Sequence, residues 1–544
     1  MRPMRNAKTV LGLVVLGLAS TAASGQSLES LIKSGDTVLG LGAMNNVTFL
    51  AVNDSKTWSA LMSTTFDDST RDGCILSNGF VTLREGTALL APPGAVLDEW
   101  NSVSVTNSGD LGMLIRVKPV TGLSFDGIYW NLVPVAKKDQ TLPFPPFPVT
   151  GVLADWDTFS VVKLNTKNQL FVMGEVANPL VTRNKERSLI RYQLDDAGSI
   201  TGTTVLATEG MLVPAGLRLL GQQCMLNNEH ILAVNNRGDV ITLIAQDAVQ
   251  WLVINMETAV AKKGTPSPVG GLWRDFSQSR VAINDRGDWV ISGAVEDPVG
   301  YLIVKNGQKF VQQGEVFPAI SPLPLGNGSL APLYIANNGD VFWHGRIGAS
   351  DSFMRNKDAI VISGQTIVGN RLVTSILGGE NGFSISPNGR FWVGLAQLQS
   401  IGTAALFSDF GLVLEVPGCH GNQGKLSLAS GKALLGNDIQ LAMDRGQAAG
   451  AVTAVYFSRQ SVLSPNGCGI RVKGGELMLG PPLLGHRTLA AWNGVNPSVG
   501  TFRIANQISL LDAVFFAQGV FFKPGHPTEE VRLTNALRIE IGAP

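Results

Sequence analysis

The chain has 544 residues, with 42 Lys and Arg against 42 Asp and Glu, and 15% of its residues are charged, whereas typical soluble domains carry about 25%. A hydrophobic fraction of 44% excludes a disordered chain, and the balanced charge excludes the basic surface of a nucleic-acid-binding protein. The length predicts about two to four domains, each with its own core.

The N-terminus has the pattern of a secretory signal peptide. Arg2, Arg5 and Lys8 precede an apolar stretch at 9–18, and small residues follow at 19–25. The stretch is too short to span a bilayer, which takes about 20 apolar residues; an uncleaved anchor is the alternative. We expect a signal peptide at 1–25, no transmembrane span after its cleavage, and a protein that is secreted or held in the cell envelope, extracellular or periplasmic.

A short phrase recurs seven times between residues 52 and 391. An aliphatic residue enters a small polar turn and an alternating apolar run leaves it, at 52–58, 105–111, 164–170, 234–240, 283–289, 335–341 and 385–391. Asn, Asp and Gly suit such turns because they tolerate positive φ or bond their own backbone. The predicted structural turn residues are Asn53, Gly109, Asn168, Gly238, Gly287, Gly339 and Gly389.

The repeat predicts an all-β architecture. Successive copies start 49 to 70 residues apart, and each unit offers about four short strands. This period is typical of a β-propeller. We expect about seven blades at 26–417, with six or eight as the alternatives for the blade count. A parallel β-helix is the second choice of fold. Residues 31–38 resemble the outer hairpin of other units, so we expect them to complete the seventh blade and remove an exposed edge.

The repeat stops near Pro417. Residues 418–544 contain alternating strands separated by turns, which predicts a C-terminal β-sandwich or jelly roll. Two of the four cysteines, Cys419 and Cys468, lie in this segment, and we expect them to form a disulfide. Cys74 and Cys224 lie far apart in sequence, and free buried thiols are slightly favoured for them.

Two resemblances rest on these motifs. The phrase at 283–289 resembles bacterial extracellular tandem repeats of the form Asn-x-x-Gly, and Ser386-Pro387-Asn388-Gly389 resembles the turn of TolB-type propeller blades. Residues 418–422, 516–525 and 533–537 resemble a C-terminal domain of large secreted proteins from planctomycete-like bacteria. These resemblances imply an exported modular protein, and they bring no catalytic residue with them.

No catalytic or cofactor motif is present. The sequence lacks a Gly-x-Ser-x-Gly elbow, a His-Glu-x-x-His zinc helix, a P-loop and a complete dinucleotide fingerprint. The five histidines are scattered, and no Cys/His cluster has zinc-ligand spacing. We therefore predict no catalytic residue, no metal site and no cofactor. The carboxylate and carbonyl oxygens of residues 284–288 make a calcium site a minor alternative to the absence of metal, although turn formation explains the same oxygens equally.

Acidic residues beside Trp precede several repeats and are the candidate ligand-binding loops. They are Asp98, Glu99 and Trp100, then Asp155, Trp156 and Asp157, then Trp273 and Asp275. An aromatic face stacks on a sugar ring, and carboxylates hold hydroxyls or act as acid and base. The competing interpretation is that each Trp packs between blades and each Asp caps a turn.

Three functional hypotheses follow. The first is an exported, non-catalytic binding or scaffolding protein, with a glycan or a cell-surface protein as partner. The second is a polysaccharide-acting enzyme, a hydrolase or lyase, with carboxylates on the propeller loops. The third makes the C-terminal domain an attachment or sorting device.

Overall fold

The computed structural model describes residues 28–66, 71–139, 155–177, 185–209, 231–246, 249–297, 299–318, 320–326, 332–378, 382–419, 422–444, 450–464, 467–472, 474–523 and 531–542. The expected signal peptide and Cys224 lie outside these residues. No α-helix occurs in the described ranges, which include a 3₁₀ turn at Ile508–Leu510.

Sheets of four or more antiparallel strands follow one another along residues 29–409 and form blades 1 to 7. The first strand, β1 (Glu29–Lys33), belongs to the last of them. Blade 1 contains β2 (Thr37–Val38), β3 (Gly42–Val52), β4 (Trp58–Thr64), β5 (Gly73–Ser77) and β6 (Phe80–Arg84). Blade 2 contains β7 (Val96–Val105), β8 (Leu111–Lys118), β9 (Phe125–Trp130) and β10 (Val133–Lys137).

The next two blades have the same four-strand order. Blade 3 contains β11 (Asp155–Leu164), β12 (Gln169–Ala177), β13 (Lys185–Leu194) and β14 (Ile200–Thr208). Blade 4 contains β15 (Leu232–Val234), β16 (Val240–Gln246), β17 (Val249–Ile254) and β18 (Thr258–Lys262).

Two edge segments share the inner position of blade 5, which contains β19 (Trp273–Asp275), β20 (Val281–Ile283), β21 (Trp289–Val295), β22 (Gly300–Lys305) and β23 (Gln308–Gln312). A hairpin of β24 (Val316–Phe317) and β25 (Ser321–Pro324) leads to blade 6. That blade contains β26 (Leu333–Ile335), β27 (Val341–Ile347), β28 (Ser350–Arg355) and β29 (Asp358–Ile362).

Blade 7 is completed from both ends of the repeat region. It contains β30 (Ile367–Val368), β31 (Arg371–Ile376), β32 (Phe383–Ile385), β33 (Phe391–Leu398) and β34 (Gly402–Asp409). The outer strand is β1, which pairs antiparallel with β34, and Ile32 of β1 is 7% exposed. Strand β1 therefore closes blade 7 and covers an edge that would otherwise be open. This confirms the first part of the segment predicted at 31–38, whereas Thr37–Val38 pair with β3 in blade 1 instead.

Each pair of neighbouring blades shares one hydrophobic core. Separate buried clusters join blades 1 and 2, 2 and 3, 3 and 4, 4 and 5, 5 and 6, and 6 and 7. One more cluster packs Phe391 and Phe407 of blade 7 against Val47 and Trp58 of blade 1. Since each buried large apolar side chain contributes roughly 1.5–3 kcal/mol, these cores close the sheets into a ring, and the predicted all-β propeller is confirmed.

The C-terminal region forms a two-sheet sandwich. Its strands are β35 (Leu412–Val416), β36 (Lys425–Gly431), β37 (Asp438–Asp444), β38 (Ala451–Ser458), β39 (Ile470–Val472), β40 (Gly475–Leu477), β41 (Leu483–Trp492), β42 (Ser498–Arg503), β43 (Val514–Phe522) and β44 (Arg532–Glu540). One sheet has the order β35-β44-β43-β38-β41, the other β36-β37-β42. A single core lies between them, with Leu441 on one side and Phe521 on the other.

The first strand of this sandwich lies on the propeller side of the boundary expected at 417. β35 pairs along its whole length with β44, from Leu412 opposite Glu540 to Val416 opposite Ala536. Cys419 and Cys468 form a disulfide within the same region. Cys74 is a buried free thiol in blade 1, and burial raises its pKa to about 11.

Candidate functional site

The repeat turns lie where each inner strand meets the second strand of its blade. In blades 1, 3, 4 and 5 the first turn residue is Asn, and its side-chain oxygen accepts the backbone N–H groups of the third and fifth turn residues. The fourth residue has positive φ, for example 93° at Gly238 and 87° at Gly287. In blade 1 that position is Lys56 (φ 65°), three residues after the predicted Asn53.

The same Asn side chains also join one blade to the next. The side-chain nitrogen of Asn165 donates to the carbonyl of Asn235 at 3.1 Å, that of Asn235 to the carbonyl of Asn284 at 2.8 Å, and that of Asn284 to the carbonyl of Ala336 at 2.9 Å. These contacts run in one direction from blade 3 to blade 6. One residue type therefore closes a turn and anchors it to its neighbour.

The second turn residues extend this contact around the propeller. Asn236 N–H donates to Asp285 Oδ1 at 2.7 Å, and Asp285 N–H donates to Asn337 Oδ1 at 2.8 Å. Between blades 7 and 1, Asn388 N–H donates to Asp54 Oδ1 at 2.8 Å. We call the turns at 53–57, 106–110, 165–169, 235–239, 284–288, 336–340 and 386–390 the turn ring.

Two carboxylates of the turn ring, Asp54 in blade 1 and Asp285 in blade 5, interact electrostatically although they belong to distant blades. Burial is the main cause that raises the pKa of Asp54, while hydrogen bonds from Asn388 and Asn107 oppose it. The charges of Asp285 in blade 5 and Glu540 in the sandwich raise it further. The second positions therefore converge toward the propeller axis, and β44 of the sandwich ends nearby.

The fifth turn residue ties the turn to the outer hairpin of its own blade. Asp110, Asp239, Asp288 and Asp340 each accept the side-chain N–H of an Asn in that hairpin, at 2.6–3.2 Å. These hairpin residues are Asn131, Asn255, Asn306 and Asn356, all with φ between 48° and 52°. Their side-chain oxygens accept the backbone N–H of the residue directly after the turn, which is the first residue of the second strand of the blade.

Blade 7 replaces this Asp with Arg390, which joins the propeller to the sandwich. Its guanidinium donates two hydrogen bonds to Asp409 of blade 7, at 2.9 and 3.0 Å, one to Glu540 at 2.8 Å, and one to Asp512. Burial alone would lower the pKa of Arg390, but its carboxylate partners raise it. The side chains of Arg390, Asp409 and Glu540 are 8%, 2% and 9% exposed.

The predicted acidic and Trp residues lie in strands rather than in loops. Asp98, Glu99 and Trp100 belong to β7, 155–157 to β11, and 273–275 to β19. Trp156 is 1% exposed, and its indole N–H donates to the Tyr192 hydroxyl at 2.9 Å. Trp273 is 3% exposed in the core between blades 4 and 5. As placed, the rings of Trp156 and Trp273 fill interblade cores, and neither has an open face for a sugar.

Four of the five carboxylates of this set have a partner in their own blade. Ser124 donates to Asp98 at 3.4 Å, and Arg116 lies 3.7 Å from Glu99. Lys185 lies 2.6 Å from Asp157. At Asp275 burial opposes ionisation, but hydrogen bonds led by those from Ser277 outweigh it and lower the pKa of the carboxyl. These residues lie near the start of the inner strands of their blades. Because the inner strands run toward the turn ring, the residues are at the opposite face of the propeller.

A cavity that the sequence did not reveal lies on the propeller axis. It measures about 240 Å³ and is lined by the inner strands of blades 2 to 6, including Asn101, Ser102, Lys163, Arg280 and Tyr334. Several lining residues directly precede repeat turns, so the cavity lies just below the turn ring. No shared motif marks these residues because each comes from a different repeat.

The turn oxygens considered for calcium are engaged within the protein. Asn284 Oδ1 accepts two backbone N–H groups, and the Asp288 carboxylate accepts the side-chain N–H groups of Asn306 and Asn284. Among the described residues, no group of three or more His, Cys, Asp and Glu side chains is arranged to hold a metal ion. Likewise, no described segment forms a helix long and apolar enough to cross a membrane.

The C-terminal motif residues meet in a buried polar network. Asn422 donates to the carbonyls of Glu476 and Thr534, at 2.9 and 2.6 Å, and Gln518 donates to the same two carbonyls at 2.8 and 2.9 Å. Asn535 exchanges hydrogen bonds with the backbone of Leu426. These residues therefore tie the strands of the sandwich together.

The comparisons with known proteins give a likeness in fold. No protein-family profile matches the sequence, and no curated protein matches it. Solved structures similar to the chain include PorZ, a bacterial surface component of the type IX secretion system of Porphyromonas gingivalis, with 11% identity and a TM-score of 0.33 over 90% of this chain. The match spans 59% of PorZ.

Two hydrolases are similar at the same level. A puromycin hydrolase matches with 13% identity and a TM-score of 0.38 over 69% of this chain and 53% of its own. The Trypanosoma rangeli sialidase matches with 11% identity and a TM-score of 0.29 over 95% of this chain and 92% of its own. At these scores the likeness adds nothing on function, and the fold rests on the sheets described above.

Proposed function

We propose that the chain is an exported, non-catalytic binding protein whose propeller binds a glycan at the face opposite the turn ring. The observation that carries this proposal is the junction at Arg390, because it fixes the sandwich on the turn-ring side of blade 7. The face where the inner strands begin remains for a ligand. Residues at the ends of strands on a rigid scaffold are favourable places for binding groups.

Export is supported by the signal-peptide pattern, by the disulfide and by the resemblance to secreted tandem-repeat proteins. A disulfide such as Cys419–Cys468 persists in an oxidising compartment. The location we propose is outside the cytoplasmic membrane, either secreted or held in the envelope. The interior of the propeller supports a rigid scaffold, since every blade shares a core with both of its neighbours.

The pairing of the carboxylates favours binding over catalysis. A glycosidase requires one carboxyl group to donate a proton and a second to act as nucleophile or base, about 5–10 Å away. Here Glu99 and Asp157 each lie beside a cation of their own blade, Arg116 at 3.7 Å and Lys185 at 2.6 Å. Ionised carboxylates accept hydrogen bonds from sugar hydroxyls.

A glycan array probed with the purified secreted chain tests this function. We expect selective binding, weakened at least tenfold in Glu99→Gln and Asp155→Asn, because both changes lie at the proposed face. Asp438→Asn is the matched control, since this exposed carboxylate lies in the sandwich. Absence of binding to every glycan would overturn the proposal, and release of new reducing ends from a bound glycan would establish the enzyme instead.

A further inference from the structure

The exposed apolar side chains of the propeller are concentrated on one face. Among its described residues ten large apolar side chains are exposed, and nine of them lie on the face opposite the turn ring. We call these nine the tip residues; they are Leu39, Leu90, Val120, Leu123, Leu272, Val299, Val316, Leu323 and Ile367. The tenth, Phe80, begins the outer strand of blade 1 at the turn-ring end. A scatter without function would place such residues on both faces.

The direction of the strands places the tip residues on this face. Inner strands run toward the turn ring, and the second strands run away from it. Leu39 lies in the hairpin before the inner strand β3, and Leu123 lies in the loop after the second strand β8. The side chain of Leu323 fills the space beside Gly348, which follows the second strand β27. The tip residues belong to blades 1, 2, 5 and 7 and to the hairpin before blade 6, so they are distributed around the propeller.

Buried neighbours hold the tip residues in place. In five connections an exposed tip residue stands directly beside a buried apolar residue: Leu39 beside Val38, Leu90 beside Leu89, Leu272 beside Trp273, Val316 beside Phe317, and Ile367 beside Val368. The backbone closes the first of these hairpins, since the N–H of Leu41 donates to the carbonyl of Val38 at 2.9 Å. Leu39 itself is 93% exposed. The fold therefore projects aliphatic groups into solvent from a fixed backbone.

The segments that carry the tip residues are uncharged. Eight of the nine lie in segments that contain no Asp, Glu, Lys, Arg or His, namely 37–41, 87–94, 119–124, 265–272, 316–325 and 365–370. Exposed charges of both signs stand nearby in the sequence: Lys118 and Lys263 are cationic, whereas Glu296 and Asp297 beside Val299 are anionic. The face therefore has no basic patch for an anionic partner, and its chemistry matches a surface without net charge.

The residue types favour a lipid surface over a protein as the partner. All nine tip residues are Leu, Val or Ile, whereas protein interfaces draw most of their affinity from Trp, Tyr and Arg. A rigid protein would need a pocket for each separate side chain, but lipid headgroups rearrange around them. Apolar side chains at the boundary between headgroups and acyl chains bind proteins to membranes. Because Arg390 fixes the sandwich on the turn-ring side, the sandwich does not block the approach of this face to a flat surface.

We propose that the face carrying the tip residues docks on a lipid bilayer whose surface is uncharged or zwitterionic. The aliphatic side chains enter the headgroup region, and the sandwich points away from the membrane. This inference goes beyond the proposed function, because the loop tips contact lipid while the strand ends contact the glycan. It assigns the exported chain to the cell envelope, where its loops hold it at a membrane surface.

Flotation of the full secreted chain with phosphatidylcholine vesicles that contain no glycolipid tests the inference. We expect the protein to float with the vesicles equally at low and high salt, because charge attraction does not contribute. The triple variant Leu39→Ser, Leu123→Ser, Ile367→Ser should lower the partition coefficient at least tenfold, because it removes three of the apolar contacts. Phe80→Ser is the matched control, since Phe80 is equally apolar and 77% exposed but lies on the turn-ring side; it should leave the partition coefficient unchanged.

Thermal unfolding of each variant shows whether it has folded. If the parent chain does not float, or if the folded triple variant floats as well as the parent, the inference is wrong. Sedimentation equilibrium provides a second test: self-association of the parent chain that the triple variant abolishes would assign this face to a second copy and would also overturn the inference. Glycan binding by a parent chain that does not float leaves the proposed function standing, and flotation without glycan binding leaves only this inference.

Discussion

The turn of blade 7 and the turns of blades 4 to 6 use one backbone geometry for two tasks. In blades 4 to 6 the fifth turn residue is Asp, which bonds an Asn of its own outer hairpin. In blade 7 the fifth residue is Arg390, and the position of the hairpin Asn, opposite the first residue of the second strand, is taken by Asp409, which Arg390 bonds. A turn that serves its own blade has thus become the anchor of a second domain, through a change of side chains alone.

The largest expected effect follows from removing the cation of blade 7. Arg390→Met should destabilise the protein by about 3–5 kcal/mol, because it leaves Asp409 buried without its partner. Calorimetric unfolding of the full chain should then show a separate transition for the sandwich. Arg286→Met, at the exposed third position of blade 5, is the control and should cost less than about 1 kcal/mol. Equal stabilities of the two variants would refute the difference drawn between these turns.

A Gly→Ala substitution at the fourth turn residue, which has positive φ, should destabilise the protein more in blade 7 than in blade 5. Gly389→Ala should cost about 2–4 kcal/mol, because its new Cβ would lie 2.8 Å from Ala336 Cβ in addition to the strain of positive φ. At Gly287 the nearest atom is the end of the flexible Arg237 side chain, so Gly287→Ala should cost only about 1–2 kcal/mol. Chemical denaturation of both variants measures the gap, and the reverse order would contradict the packing at blade 7.

Removing one interblade Asn should have an intermediate effect. Asn284→Ala should cost about 1–3 kcal/mol, because two turn N–H groups lose their acceptor and Ala336 loses a donor from blade 5. Asn370→Ala, at an exposed position of blade 7, should stay within about 0.5 kcal/mol of the parent. Urea unfolding measures both. A change at Asn284 no larger than at Asn370 would mean that the turn ring adds no stability.

The smallest effect depends on pH. At Asp288 burial opposes ionisation, but hydrogen bonds from Asn306 and Asn284 outweigh it and lower the pKa. The stability from this carboxylate is therefore present above the unfolded pKa of about 3.9 and is lost as the pH falls through the lower folded value. Asp288→Ala should cost under about 1 kcal/mol at pH 7, and the cost should shrink as the pH falls through the lowered pKa of this carboxyl. A cost that is constant with pH would assign the effect to packing.

The sequence predicted the architecture well because the repeat turns carry their own local chemistry. Asn and Gly at fixed positions mark the turns, and residues 31–38 resemble an outer hairpin closely enough to predict the closure of blade 7. The contacts between blades could not be predicted, because the Asn that closes a turn is the same residue that reaches the next blade, and the sequence pattern reveals only the turn.

The candidate site was harder to predict for a physical reason. Trp156 and Trp273 have the residue type of a sugar platform, yet a large aromatic ring is equally suited to an interblade core, and burial decides between the two roles. Lys163 and Arg280 line one cavity only because the ring closes. One signal was available in the sequence: Arg390 stands where four other repeats have Asp, and such a change of charge marks the turn that contacts something outside its blade.

Native-state hydrogen exchange of the turn amides tests the central claim, that the seven turns act as one ring. The account predicts that the N–H groups of Asn236, Asp285 and Asn388, whose acceptors lie in neighbouring blades, exchange only when the whole propeller unfolds. The Gly307 amide in the outer hairpin of blade 5 should exchange far faster. Exchange of the three turn amides at separate rates near that of Gly307 would show blades that open independently and would contradict the account.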